Sequence, residues 1–481
     1  MFKLAPLSAA VVLAIAGQVM ADDSTSTQNQ QGKANIAEVL QTVAPYASVT
    51  QDQNGQGHNH LAVQDTSTSD ISQSATGSFN AGYADQILEN GSKTLQRSGG
   101  SLNDNFSSQS LGQDNEVLQV QQGTGNMSRV FQEFQTGAQA TTLQQGSAND
   151  AVVEQLIGGT NNRAQIMQEG TGNTAAAEHI LHDNGDIRIG QKGQASWAYG
   201  DQRNGLGGTI DIQQVGSGHS VEVWQDTQVA SQASVYQQGQ LNEGYIDQSF
   251  GEANSAHLSQ SGQRNASWSD QFESTHSVVD ITQNGKDNLH FTYQTGDNHS
   301  LTIDTTGNGN KVLASNWKGE KFGGQFGSSQ TAQVKQNGNG NSVNFNQEGM
   351  NQVAKLEQKG NRNTMETNQV DGNNELYFEQ NGSDNLLIAA QRDGGNYAEG
   401  LSAGNGNVIN LDQSGQGNQS YTYQLYGSGN TANITQTDVA NVAYVTQGGT
   451  GNLATVTQSN MNQNAAITQY GSTNTAIITQ Q

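Results

Sequence analysis

The stretch Asn441-Val-Ala-Tyr-Val-Thr-Gln447-Gly-Gly-Thr-Gly-Asn452-Leu-Ala-Thr-Val-Thr-Gln458 writes one short unit twice. In each copy Asn, Ala, Val and Gln fall on every second residue, the period that puts side chains on one face of a strand. In the second copy the inward set is Asn452, Ala454, Val456 and Gln458, while Leu453, Thr455 and Thr457 face outward. The four-residue link between the copies has glycine two residues after the glutamine, which supplies the positive φ of a tight turn. Turns this close together leave no room for three turns of helix. The chain reads as all-β.

Working outward, Gln436, Gln447, Gln458, Gln469 and Gln480 stand eleven residues apart, and Asn441, Asn452 and Asn474 follow five residues after such glutamines. Backwards the template meets Asn418, Asn407, Asn396, Asn385, Asn374, Asn363 and Asn341, with Gln352 and Gln330 in place of asparagine. Asn310, Asn288, Asn265, Asn254, Asn242, Asn162, Asn149, Asn126, Asn115 and Asn80 continue it, and Asn35-x-Ala37-x-Val39-x-Gln41 is read as the first unit. About 39 units fill the chain. The expected organisation is a signal peptide over 1–21, a polar disordered leader over 22–34 and irregular repeats over 35–316. An inserted loop over 317–329 and regular repeats over 330–481 complete it.

Seven-residue strands joined by four-residue arcs could form a hairpin meander or a β-solenoid with two units per turn. A meander leaves each small apolar face uncovered, so the solenoid is favoured, with two parallel sheets facing each other in an amyloid-like cross-β arrangement. Stacking turns about 4.8 Å apart would set amide over amide, and about twenty turns make a rod of roughly 95 Å. The expected structural ladder comprises Asn341, Gln347, Asn385, Gln391, Asn441, Gln447, Asn452, Gln458, Gln469, Asn474 and Gln480. The last unit keeps the pattern to Gln480, and a bare strand edge is a template for another chain.

Composition agrees with a narrow core. Only 32% of the 481 residues are hydrophobic and 13% charged, while Gln and Asn supply 114 residues and Gly 58. A conventional enzyme with one large aliphatic core is disfavoured. Disorder is opposed by the mere two prolines. A net charge of -24 without any basic run argues against nucleic acid and against anionic membrane surfaces. The absence of cysteine excludes disulfides and thiolate metal sites. Lys3, the apolar run from Leu4 to Gly17 and a cleavage site after Ala21 form the signal peptide. No second apolar run follows, so membrane insertion is not expected.

No catalytic, cofactor-binding or metal site is expected. His179, His182 and Asp183, and the pair His58 and His60, are read as solvated turns. Glu222, Asp270 and Asp280 are read as outward charges that keep the surface soluble or slow premature stacking. Links such as QNGSDN lack the Gly-Gly-x-Gly-x-Asp of calcium-binding repeats. Trp224, Trp268, Tyr421, Tyr423 and Tyr444 are outward strand formers with surface-binding potential. Thr435, Thr446, Thr457, Thr468 and Thr479 form a column that alternate units split between two faces, which weakens an ice-binding reading. A carbohydrate lyase would need clustered acids and bases on long loops. The single long loop offers Lys318, Glu320 and Lys321, which make no catalytic set.

The unit resembles the curlin repeat of bacterial curli subunits, through copies such as Gln447-Gly-Gly-Thr-Gly-Asn452-Leu-Ala454-Thr-Val-Thr-Gln458. The resemblance implies a secreted functional amyloid, polymerising at the surface of a Gram-negative cell into adhesive fibres of the biofilm matrix. It implies as partners further copies of the chain, a related subunit or nucleator, an outer-membrane secretion pore and periplasmic chaperones. The chain departs from the family in its length, its irregular front half and the insertion at Trp317. A soluble solenoid adhesin or surface-binding protein is the competing reading.

Overall fold

The computed structural model describes residues 23–314 and 323–481, and over them the chain is a parallel β-solenoid with no helix. The expected signal peptide lies outside the described residues. Each turn carries two strands. Those of the first sheet mostly run nine residues, as Arg163–Thr171, and those of the second six or seven, as Thr174–Ile180. The first sheet has twenty strands and the second twenty-one, two of which are halves of one interrupted strand. Every pairing is parallel, with register steps of 22 to 24 residues, as in Val353↔Glu375 and Ala151↔Ala175, except where an insertion lengthens the step to 31. At about 4.8 Å per step the rod is roughly 90 Å long.

The period of two in the sequence becomes alternate burial. Arg163–Thr171 buries Ala164, Ile166 and Gln168 and turns Arg163, Met167 and Glu169 outward. Ala175 and Ala177 of the second sheet belong to the same core as Ala164 and Ile166. Fully burying an Ile or Val is worth about 1.5–3 kcal/mol, and turn after turn repeats that term. One apolar core runs from Val117 to Ile467, and a separate small one joins Val49, Ala62, Ile71 and Ala84. Between them the inward residues are polar, among them Thr94, Gln96, Ser98, Asn105 and Ser107. Gln28, Gln51, Gln73, Gln96 and Gln119 occupy the column that later holds Ile and Val, and they donate one to the next at 2.8–2.9 Å.

The arcs that leave the first sheet share one glycine column, from Gly32 through Gly239 and Gly262 to Gly471, with φ between 103° and 143°. A Cβ on any of these but the last would strike the carbonyl oxygen of the glycine one turn on. The opposite arcs are built otherwise. Leu88, Leu111, Phe134, Ile157 and Leu181 hold φ of 50–63° there with their side chains exposed. Beside them an inner column alternates Glu89, Gly112, Gln135, Gly159, His182, Gly205, Gln228 and Gly251. A Cβ on Gly112 would lie 2.8 Å from Glu89 Oε1, and one on Gly159 3.0 Å from Gln135 Oε1. Glu89, Gln135 and His182 therefore each sit under the backbone of the next turn's glycine.

Two expectations are corrected. The leader is not disordered over its length, because Thr25–Lys33 pairs in register with Ser48–Gln56 and forms the first strand of the solenoid. Its serines, threonines and glutamines suit a polar interior column, which a template keyed to Ala and Val does not detect. The insertion is also narrower than 317–329, since Gly324–Ser328 is a strand paired with both neighbours. It continues Lys311–Ala314, so the extra residues interrupt one strand of the second sheet, and the next registers step by 31 residues. Residues 315–322 lie outside the described part.

Candidate functional site

The glutamines at the ends of the second-sheet strands stack into one column. Gln202, Gln225, Gln248, Gln271 and Gln294 lead through Gln325 to Gln347, Gln369, Gln391, Gln413, Gln436, Gln458 and Gln480. In every step the Nε2 of the earlier residue donates to the Oε1 of the later one, at 2.6–2.9 Å. Gln41 to Gln155 form the same chain at the other end. Gln447 and Gln469 belong to the corresponding first-sheet column, joined at 3.0 Å.

The asparagines run the other way. Asn341 Oδ1 accepts from the Asn363 backbone N–H at 3.1 Å and from its Nδ2 at 3.2 Å, and Asn385 stands on Asn363 likewise. Asn452 Oδ1 accepts from Asn474 N at 3.0 Å and Nδ2 at 2.9 Å. Asn441 lies in the opposite arc, its N–H donating to Asn418 Oδ1 at 3.1 Å. A buried amide left unpaired costs roughly 1–3 kcal/mol, so the columns convert an expensive interior into a cooperative one.

Directional columns give the rod two unlike ends. At the front, Gln28, Gln30 and Gln41 donate into the rod, and among the described residues no earlier turn donates to their own Oε1 atoms. At the rear, Gln469 and Gln480 end the donor series and Asn474 ends the acceptor series. Thr25–Lys33 is exposed throughout, and Thr475–Gln480 is exposed at every second residue. Along the shared register Asn35 corresponds to Asn474, Ala37 to Ala476, Val39 to Ile478 and Gln41 to Gln480. Gln30 corresponds to Gln469 and Gly32 to Gly471, while Gln28 falls on the column of Ile467.

The histidines correct the reading as solvated turns. His58, His60, His179 and His182 are all buried. Burial, with the nearby His58, holds His60 down at about 4. Burial and the His182 ring hold His179 at about 3, with the Gln202 amide opposing. Burial holds His182 at about 4, opposed by Asp183, and burial alone holds His290 at about 3. Asp183 stays near the surface and accepts from Thr160 N at 2.8 Å. His179 takes the place of a glutamine in the second-sheet column and breaks it. Among the described residues no group of three or more His, Cys, Asp or Glu could hold a metal ion.

The outer face of the second sheet carries rings and carboxylates on successive turns. Tyr199 and Trp224 stand 5.0 Å apart, and Trp268 and Phe291 stack at 4.8 Å. Among these rings the acids are less free than an outward charge would be. Burial and the neighbouring Asp247 push Asp270 up to about 7, and burial pushes Asp201 up to about 6 against Tyr199 and Arg203. On the first sheet Tyr377, Tyr397, Tyr421 and Tyr444 form a ladder with centroids 4.9–5.8 Å apart. Thr446 faces Thr468 on the first sheet, while Thr435, Thr457 and Thr479 share the second.

The model of the curlin associated repeat matches residues 230–262 and 395–437. No curated protein matches the chain with significance. The two matched segments lie one on each side of the insertion, and both contain ladder residues such as Gln237, Gln413 and Gln436.

Proposed function

We propose that this chain of curlin associated repeats is a secreted structural subunit that polymerises end to end into extracellular fibres for adhesion and the biofilm matrix. The observation that carries the reading is the complementarity of the two ends. Glutamine donors and an asparagine acceptor at Gln469, Gln480 and Asn474 meet acceptors and a donor at Gln30, Gln41 and Asn35 in the same columns. A front turn set on the rear turn of a second copy continues the amide columns and both sheets. Such a head-to-tail contact does not close, so it builds an open filament. A β-solenoid with this repeat is structural rather than catalytic in character.

The expected route follows the curlin resemblance. Residues 1–21 direct export, chaperones hold the chain in the periplasm, and an outer-membrane pore releases it for templating by a related subunit or nucleator.

The test is fibre growth from purified chain diluted out of denaturant, followed by dye binding and fibre diffraction. Growth with a meridional reflection at about 4.7–4.8 Å is expected. Ile478→Lys with Gln480→Lys, confined to the last strand, should lengthen the lag and slow elongation. Folded monomers that persist without that reflection would overturn the proposal and leave a soluble adhesin.

A further inference from the structure

The second-sheet glutamine column is interrupted at His179, and the arc beside that turn departs from the pattern of its neighbours. Where Glu89 or Gln228 fills the arc, one of its side-chain oxygens is held by a serine three residues on and an asparagine one turn later. Ser92 Oγ donates to Glu89 Oε2 at 2.5 Å and Asn115 Nδ2 does so at 3.3 Å. Ser231 Oγ donates to Gln228 Oε1 at 2.6 Å. In the turn of His182 both of those places are glycine, Gly185 and Gly208. Imidazole has replaced amide at two places while the usual donors are gone.

The polar atoms released in this way converge. A Cβ placed on Gly185 would lie closest to Gln202 Oε1, then 2.7 Å from His182 Nδ1 and 2.8 Å from His179 Cδ2, which adjoins Nε2. Gln202 Oε1, His182 Nδ1 and both ring nitrogens of His179 are buried without hydrogen-bond partners. His179 and Gln202 are 0% exposed and His182 2%. The two ring centroids stand 5.9 Å apart. With metal–nitrogen bonds of about 2.0–2.1 Å, two imidazoles sharing one ion place their centroids roughly 5–6.5 Å apart.

We propose that His179, His182 and Gln202 bind one divalent transition-metal ion above Gly185. Two neutral imidazoles and an amide oxygen form a borderline donor set that suits Zn²⁺, Cu²⁺ or Ni²⁺ and not Ca²⁺ or Mg²⁺. The site is enclosed, so the ion enters as that turn closes and staples second-sheet strand to arc where the amide column fails.

The test refolds the full chain with Zn²⁺ or with chelator, removes free metal, and measures zinc by elemental analysis on folded chain or on fibres grown from it. About one ion per chain is expected, together with X-ray absorption showing scattering from two imidazoles. His179→Gln restores the residue of the other turns, so it should fold and retain at least about tenfold less zinc. A wild-type chain that folds without holding zinc, as when a water molecule fills the space, would overturn the proposal. So would His179→Gln holding as much zinc as wild type, or absorption spectra without imidazole scattering.

Discussion

Two kinds of positive-φ glycine recur in the links of this chain, and they differ in cost. Gly262 combines a φ of 116° with a Cβ direction that runs into the Gly285 carbonyl oxygen. Gly406 has a φ of 62° and open space around the missing side chain. Gly262→Ala should therefore destabilise by at least about 3 kcal/mol, and Gly406→Ala by only about 1–2 kcal/mol. Denaturant midpoints measured side by side would check the difference; equal losses would contradict the stacking account. The need for glycine was legible in links such as QGGTGN, but its reason was not. The decisive contact is with a residue one turn away, about 22 positions along the chain. Leu111 and Phe134 show the limit from the other side, since they hold φ of 58° and 56° where composition alone calls for glycine. Their N–H groups donate to Ile87 O and Ser110 O on the preceding turn, so the stack fixes a conformation that their side chains disfavour.

At the scale of the strand, Lys311–Ala314 and Gly324–Ser328 lie in register with one continuous neighbour, Leu289–Asp297. Thr292 faces Ala314 and Gln294 faces Gln325, so joining Ala314 directly to Gly324 leaves one residue opposite Tyr293. Deleting residues 315–323 should thus keep every later register and leave the thermal midpoint unchanged or raised. A cooperative transition lowered by the deletion would show that the insertion supports the stack. The extra length was plain in the sequence, and the strand hidden in its second half was not. Phe326-Gly327-Ser328 resembles a link because Gly327 belongs to a turn, while Gln325 before it is a ladder residue. The first strand escaped for a related reason, its inward set being Ser26, Gln28 and Gln30. The solenoid and its amide columns follow from the regular units around Asn441–Gln480. The buried histidines do not, because no spacing distinguishes an inward His179 from one in an open turn.

Across the whole molecule two sets of buried ionisable groups oppose each other. Asp270 and Asp201, raised to about 7 and about 6 from 3.8, contribute stability in full below pH 3.8 and lose it as pH rises through those values. His60 and His290, lowered to about 4 and about 3 from 6.5, contribute in full above pH 6.5 and lose it as pH falls through their folded values. The denaturant midpoint should therefore peak at about pH 6.5 and decline on both sides. Asp270→Asn should abolish the decline above pH 6.5 and steepen the fall towards acid, because this carboxylate changes stability all the way from pH 3.8 to about 7; a variant with the wild-type profile would show that this carboxylate carries no such load. The net charge of -24 is thus moderated in mild acid, because some of its carboxylates take up protons within the folded rod.

The interrupted strand has a consequence for anything assembled from these rods. Among the described residues each chain has one opening in its strand register, between Ala314 and Gly324, in a lattice that otherwise repeats every 22 to 24 residues. In a filament of stacked copies that opening recurs once per subunit, roughly every 90–95 Å along the axis. It divides an otherwise uniform fibre like the graduations of a ruler. A foreign peptide grafted there would be displayed at a fixed interval, countable one molecule at a time.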